Sequence, residues 1–109
     1  MVFKPILTKR EVKRVVSEFK RSLKIAGLKA IRLILFGSYA LGKPHPWSDI
    51  DICVLSPQFG KMDFDETVRL SKIAKGINYL IEALPMNPKD FELALHPLAE
   101  EIKKVGKEM

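Results

Sequence analysis

The sequence predicts an α/β (α+β) fold, a β-sheet with helices packed on it. Three observations carry this. Short apolar runs alternate with segments whose apolar residues recur at helical spacing. Capping or turn residues stand at most of the boundaries between them. The 109 residues show no repeat, low-complexity tract or linker, so residues 1–109 read as one domain.

The elements follow in chain order. Thr8 with Glu11 reads as a capping box. Beyond it, Val12, Val15, Val16, Phe19, Leu23 and Ala26 repeat at helical spacing, and Gly27 closes the helix. Ala30 to Phe36 (AIRLILF) is a buried strand, and Gly37-Ser38 turns the chain out of it. Residues 38–48 form a turn of helix and then a loop broken by Gly42, Pro44 and Pro46. Asp49 to Leu55 (DIDICVL) is the second strand, and residues 57–62 are a loop. Asp63 with Glu66 starts another helix, with Phe64, Leu70, Ile73, Ala74 and Ile77 on its apolar face. Tyr79 to Leu84 is a third strand. Asn87-Pro88 opens a helical turn to about Leu93, and Pro97 opens a last helix facing Leu98, Ile102 and Val105 inward.

Composition narrows the class. Hydrophobic residues make up 47% and charged residues 29%, as in soluble globular proteins. No apolar stretch reaches the ~18 residues a membrane span needs. Lys4, Lys9 and Arg10 interrupt any signal-like apolar region, and the single cysteine, Cys53, leaves no internal disulfide or cysteine-based zinc site. A cytoplasmic location is therefore expected. The net charge is +6, and Lys9, Arg10, Lys13, Arg14, Lys20, Arg21 and Lys24 crowd the first helix. This cluster reads either as a solvated helix face or as an attraction to phosphates or RNA. No aromatic residues interleave with it, as a nucleic-acid groove would want.

The chemistry concentrates in FGSYALGKPHPWSDIDICV, residues 36–54. Alternation along a strand puts Asp49 and Asp51 on one face, about 7 Å apart at Cα, and Ile50, Ile52 and Val54 on the other. Two carboxylates so close repel unless a cation lies between them. A divalent metal meets that need, and Mg²⁺ takes one or two carboxylates together with phosphate oxygens. Gly37 allows a sharp exit and a close backbone approach to a ligand. Ser38 stands at a helix start, where unpaired N–H groups and a hydroxyl suit either a helix cap or a phosphate. The pattern GxxxxGK[ST] is absent, so this is not a Walker loop.

Gly37-Ser38, ten intervening residues, then Asp49-Ile50-Asp51 resembles the signature of the DNA polymerase β-like nucleotidyltransferase superfamily. The chain looks most like the minimal nucleotidyltransferases, the MNT-domain proteins, over about Ala30 to Phe91. That resemblance implies a nucleotidyltransferase-like fold, a small mixed β-sheet flanked by helices, with a third carboxylate on a later strand, where Glu82 sits in place of the more usual aspartate. It implies ATP as substrate, with Gly37 and Ser38 holding its phosphates. It implies Mg²⁺, as two ions, on Asp49, Asp51 and Glu82, with Glu82 as ligand or general base. Many relatives carry a basic residue where this chain has Leu41, and Lys43 is the candidate to replace it at the phosphate.

The same resemblance implies a biological setting. MNT proteins are commonly antitoxins paired with a HEPN-domain toxin, and the implied reaction adds AMP to a tyrosine hydroxyl of that partner. Two alternatives stand beside it: an antitoxin that neutralises its partner by contact alone, and an enzyme that modifies a small molecule of the antibiotic type. Nucleic-acid binding through the basic helix ranks last, because it leaves Asp49 and Asp51 unexplained. Among the other residues, His45 reads as exposed, Ser48 as a cap or orienting group ahead of Asp49, and Cys53 as packing. Trp47 either stacks on a base or a partner or anchors its loop. Tyr39 either lines a nucleotide pocket or packs on the sheet.

Overall fold

A computed structural model describes residues 6–29, 31–60 and 63–109. Its elements are helix α1 (Lys9–Ile25), strand β1 (Arg32–Phe36), helix α2 (Gly37–Ala40), strand β2 (Ile50–Leu55), helix α3 (Asp63–Ile77), strand β3 (Ile81–Met86), helices α4 (Pro88–Glu92) and α5 (Ala99–Val105), and strand β4 (Lys107–Glu108). The α/β (α+β) expectation holds. The sheet is mixed, in the order β3-β2-β1-β4. β1 runs antiparallel to both β2 and β4, while β2 and β3 run parallel across the α3 crossover.

The capping box at the start of α1 is present in both directions: the Thr8 N–H donates to Glu11 Oε1 at 2.9 Å and the Glu11 N–H donates to Thr8 Oγ1 at 3.1 Å. After Ala26, Gly27 takes a positive φ of 95°, and the Leu28 N–H returns to the Leu23 carbonyl at 3.1 Å. The helix presses Val12, Val15, Val16, Phe19 and Leu23 onto one face of the sheet. There they meet Leu33 and Leu35 of β1, Ile50, Ile52 and Val54 of β2, and Leu70 and Ala74 of α3. Full burial of a Phe or Leu side chain contributes about 1.5–3 kcal/mol, so this face holds most of the fold's stability.

The opposite face is covered only in part. Phe91 of α4 and Ala99 and Ile102 of α5 pack against Ile34, Cys53, Leu55 and Met86. β2 is thus buried on both faces from Ile52 onward, while Asp51 is only half-buried. Ser56, at the end of β2, is fully buried and satisfied: its hydroxyl donates to the Lys29 carbonyl at 3.0 Å and accepts from the Gln58 N–H at 3.3 Å.

Several expected details change. Phe64 does not join the buried face of α3; it is 80% exposed. At 100° per residue it stands opposite Ile73, and Phe59 from the preceding loop is buried in the main core. The third strand starts at Ile81 rather than Tyr79. Asn78 Oδ1 accepts from the Leu80 N–H at 2.8 Å and turns the chain there, leaving Tyr79 exposed. Leu98 falls before α5 and is exposed, whereas Ile102 is buried as expected. Strand β4 was not expected at all. The first strand starts at Arg32, with Ile31 outside it. Ala30, residues 61–62 and the side chain of Asp63 lie outside what is described, and so does the Asp63 cap.

Candidate active site

The carboxylate pair lies on the partly covered face, at the end that α4 and α5 leave open. Register explains the grouping. Asp51 pairs with Phe36, the last residue of β1, and across the parallel ladder with Glu82. The turn at Gly37-Ser38 therefore begins one residue from the strand partner of Asp51. The two halves of the motif, on successive strands, meet because an antiparallel pair places the end of one strand beside the start of the next.

Contact there is close enough to dictate the residue type. Gly37 has a positive φ of 74°, a region that side chains other than glycine rarely adopt. A Cβ at this position would collide with Asp51 Oδ2 and stand 3.0 Å from Asp51 Cγ. Gly37 is thus required twice, by its backbone angle and by the carboxylate lying against it.

Asp51 carries the electrostatic signature of the site. Burial, then the Asp49 charge, then the Glu82 charge push its carboxyl up to about 6. All three disfavour the ionised form. Asp49 precedes the strand and is exposed, and the loop delivering it is fixed by Ser48. That serine is buried; its hydroxyl accepts from the His45 N–H at 2.8 Å and its N–H donates to the His45 carbonyl at 2.9 Å. Ser48 therefore orients the loop, as its position suggested.

Glu82 faces the same side as Asp51 but is held from elsewhere. Lys75 of α3 donates to Glu82 Oε1 at 3.1 Å, to the Ile81 carbonyl at 2.7 Å and to the Tyr79 carbonyl at 2.9 Å. An ammonium has three protons, and these three acceptors use them all. Sequence reasoning missed Lys75, because its link to Glu82 depends on the turn between α3 and β3. Among the described residues, no three His, Cys, Asp or Glu side chains already stand together as a metal-ligand cluster.

The other side of the candidate site is built from α2. Ser38 is the second residue of this helix, and Phe36 takes the cap position without a side-chain bond. Ser38 is therefore not the N-cap, and its hydroxyl makes no hydrogen bond among the described residues. The Lys43 N–H donates to the Ser38 carbonyl at 3.0 Å, which keeps that exposed lysine beside α2. Tyr39 packs on the main core, and its hydroxyl accepts from the Leu7 N–H at 3.1 Å, so the packing reading holds. His45 is exposed, as is Trp47 at 62%. Cys53 is buried among apolar residues, which pushes its thiol up to about 12 and leaves it a packing residue.

A four-stranded mixed sheet that brings a glycine–serine turn against a carboxylate-bearing strand has the form of a nucleotidyltransferase fold. The family model described as "Nucleotidyltransferase domain" matches residues 12–106, and the chain belongs to that family, within the DNA polymerase β-like superfamily. No curated protein matches the chain. Membership supports nucleotidyl transfer in general, and domains of this kind generally use a nucleoside triphosphate and Mg²⁺. The residues present fit such an ion in donor chemistry. Asp49 and Asp51 are hard oxygen donors, and Asp51 gains most from a nearby cation because everything around it opposes its charge. No helix among the described residues is long and apolar enough to cross a membrane.

Proposed function

We propose that this chain transfers AMP from ATP, with Mg²⁺, to a hydroxyl acceptor. The acceptor we favour is a tyrosine of a HEPN-domain toxin, which makes the chain an antitoxin acting as a protein adenylyltransferase. The observation that carries the proposal is the Asp51 carboxylate: it lies against Gly37, faces Glu82 in register, and is held in a setting that calls for a cation.

Each residue has a role that follows from its place. The Ser38 hydroxyl donates to a phosphate oxygen, and the N–H groups at the start of α2 lack helical partners by position. Gly37, having no side chain, lets the nucleotide approach the backbone. Lys43 adds a positive charge beside the same turn. Asp49 and Asp51 hold Mg²⁺, and Glu82 joins them as ligand or as acceptor of the hydroxyl proton. When bound, the ion supplies charge neutralisation for the phosphates and the leaving pyrophosphate. The acceptor oxygen bonds to the α-phosphorus, the bond to the β-phosphate oxygen breaks, pyrophosphate leaves, and the hydroxyl proton passes to the base.

One observation favours a second reading, the contact-only antitoxin: Lys75 already pairs with Glu82 Oε1 at 3.1 Å, which competes with a metal or a proton for that carboxylate. The deciding experiment incubates the protein with Mg²⁺, ATP and the protein encoded by its neighbouring gene, with an Asp49→Ala/Asp51→Ala variant in parallel. A mass gain of one AMP unit on the partner, lost in the variant, is the expected result. Tight complexes from both forms with no mass gain would replace the catalytic reading by the contact reading.

A further inference from the structure

A concavity lies away from the carboxylates, on the main-core side of the sheet. Its volume is about 440 Å³, within the range of small-molecule sites. Its apolar lining comes from Leu7, Val12, Leu35, Tyr39 and Met109. Three lysines also line it: Lys9 and Lys13 from α1, and Lys107 from β4. No acidic side chain lines it, and none of the three lysines enters either ion pair found among the described residues. The Met109 main-chain oxygen is engaged by Lys20 at 3.5 Å.

The register separates this cavity from the candidate active site. Leu35 pairs with Ile52 and belongs to the main core, whereas Asp51 sits on the other face of the sheet. The two regions share only the short segment after Ser38, because Tyr39, Gly42 and Pro44 form one wall of the cavity. The nucleotide reading does not use this space.

We propose that this cavity, between α1, β4 and the loop after α2, binds an amphipathic anion: an apolar body on Leu35, Tyr39 and Met109, and a carboxylate or phosphate headgroup among Lys9, Lys13 and Lys107. The assignment rests on charge complementarity around an apolar floor. An apolar lining alone would take a neutral ligand, and lysines alone would be a solvated surface. Together they select a molecule with both parts, since the lysine stems extend the apolar surface while their ammonium groups stay at the wet edge.

The test uses the intact protein with ¹³C-methyl methionine, titrated below micelle formation with dodecanoate, dodecyl phosphate and, as control, dodecyltrimethylammonium. Either anion should shift the Met109 methyl while leaving the buried Met86 methyl in place, and the tighter of the two identifies the headgroup. Lys13→Glu/Lys107→Glu changes two exposed residues, so its thermal midpoint should hold while anion affinity drops about tenfold or more, equivalent to about 1.4 kcal/mol. Equal binding of the cationic amphiphile, unchanged affinity in the folded variant, or an unmoved Met109 methyl would overturn the site. None of these outcomes depends on nucleotidyl transfer.

Discussion

Asp51 and Cys53 are next-but-one neighbours on the same face of the same strand, and burial pushes both side chains toward the neutral form. Their consequences differ. The Cys53 thiol is neutral near pH 7 in any case, so its burial under α4 and α5 costs no charge. The Asp51 carboxyl, raised to about 6, is mostly ionised at pH 7 and bears the unfavourable surroundings in full. One end of this face is built for packing. The other holds a charge that the protein alone does not compensate, which is how a site prepared for a cation differs from a core.

Moving the carboxylate is the harshest way to break the comparison. Cys53→Asp puts an acid among Ile34, Leu55, Phe91 and Ile102 with no partner, and should cost at least about 4 kcal/mol and unfold the protein near pH 7. Urea denaturation followed by circular dichroism measures it, and a folded variant of near-native stability would deny that the two ends differ.

Closing the gap between Gly37 and Asp51 should cost less. Gly37→Ala adds a strained backbone angle and a clash, together about 2–3 kcal/mol, and should lower nucleotidyl transfer at least about 100-fold. Adding Asp51→Ala should return part of the stability and none of the activity. If the stability effects of the two single changes simply add, the carboxylate does not press on that glycine.

Removing the charge at Asp51 should stabilise the protein. The folded carboxyl lies above its ordinary value of 3.8, so relative to an uncharged residue its favourable contribution is complete below that value and is lost as pH rises through about 6. Discounted for a half-exposed group, the cost at pH 7.5 is about 1–2 kcal/mol. Asp51→Asn should therefore raise stability by that amount at pH 7.5 in metal-free buffer, with the gain fading toward pH 4. A pH-independent difference would point to packing instead. Lys75→Met, the mildest change, should cost about 1 kcal/mol through the carbonyls of Tyr79 and Ile81. If nucleotidyl transfer then rises, Lys75 restrains Glu82; if it falls, Lys75 positions it.

The sequence exposed the active-site half of this comparison more readily than its supports. Periodicity located α1, β1 and β2, and the glycine–serine and aspartate pairs stood out because each is unusual within an apolar run. Lys75 stayed hidden because its acceptors lie across a turn that no local pattern specifies. β4 stayed hidden because Lys107 and Glu108 lack strand propensity; they pair with Leu35 and Ile34 only after Gly106 lets the chain pass close to Ile34, where a Cβ would stand 2.6 Å from Cγ2. Phe64 misled because apolar residues on short windows fit several helix faces, and burial of Leu70 and Ala74 shows which one packs.

We propose Asp51 as an acid that awaits a cation beside a phosphate-binding turn. Its side-chain carboxyl carbon can be titrated by NMR, first in metal-free protein and then with Mg²⁺ and a non-hydrolysable ATP analogue. The account predicts a midpoint near the value of about 6 without metal, falling below the ordinary aspartate value of 3.8 once metal and nucleotide are added. A midpoint near 6 that Mg²⁺ and nucleotide leave unmoved would contradict it.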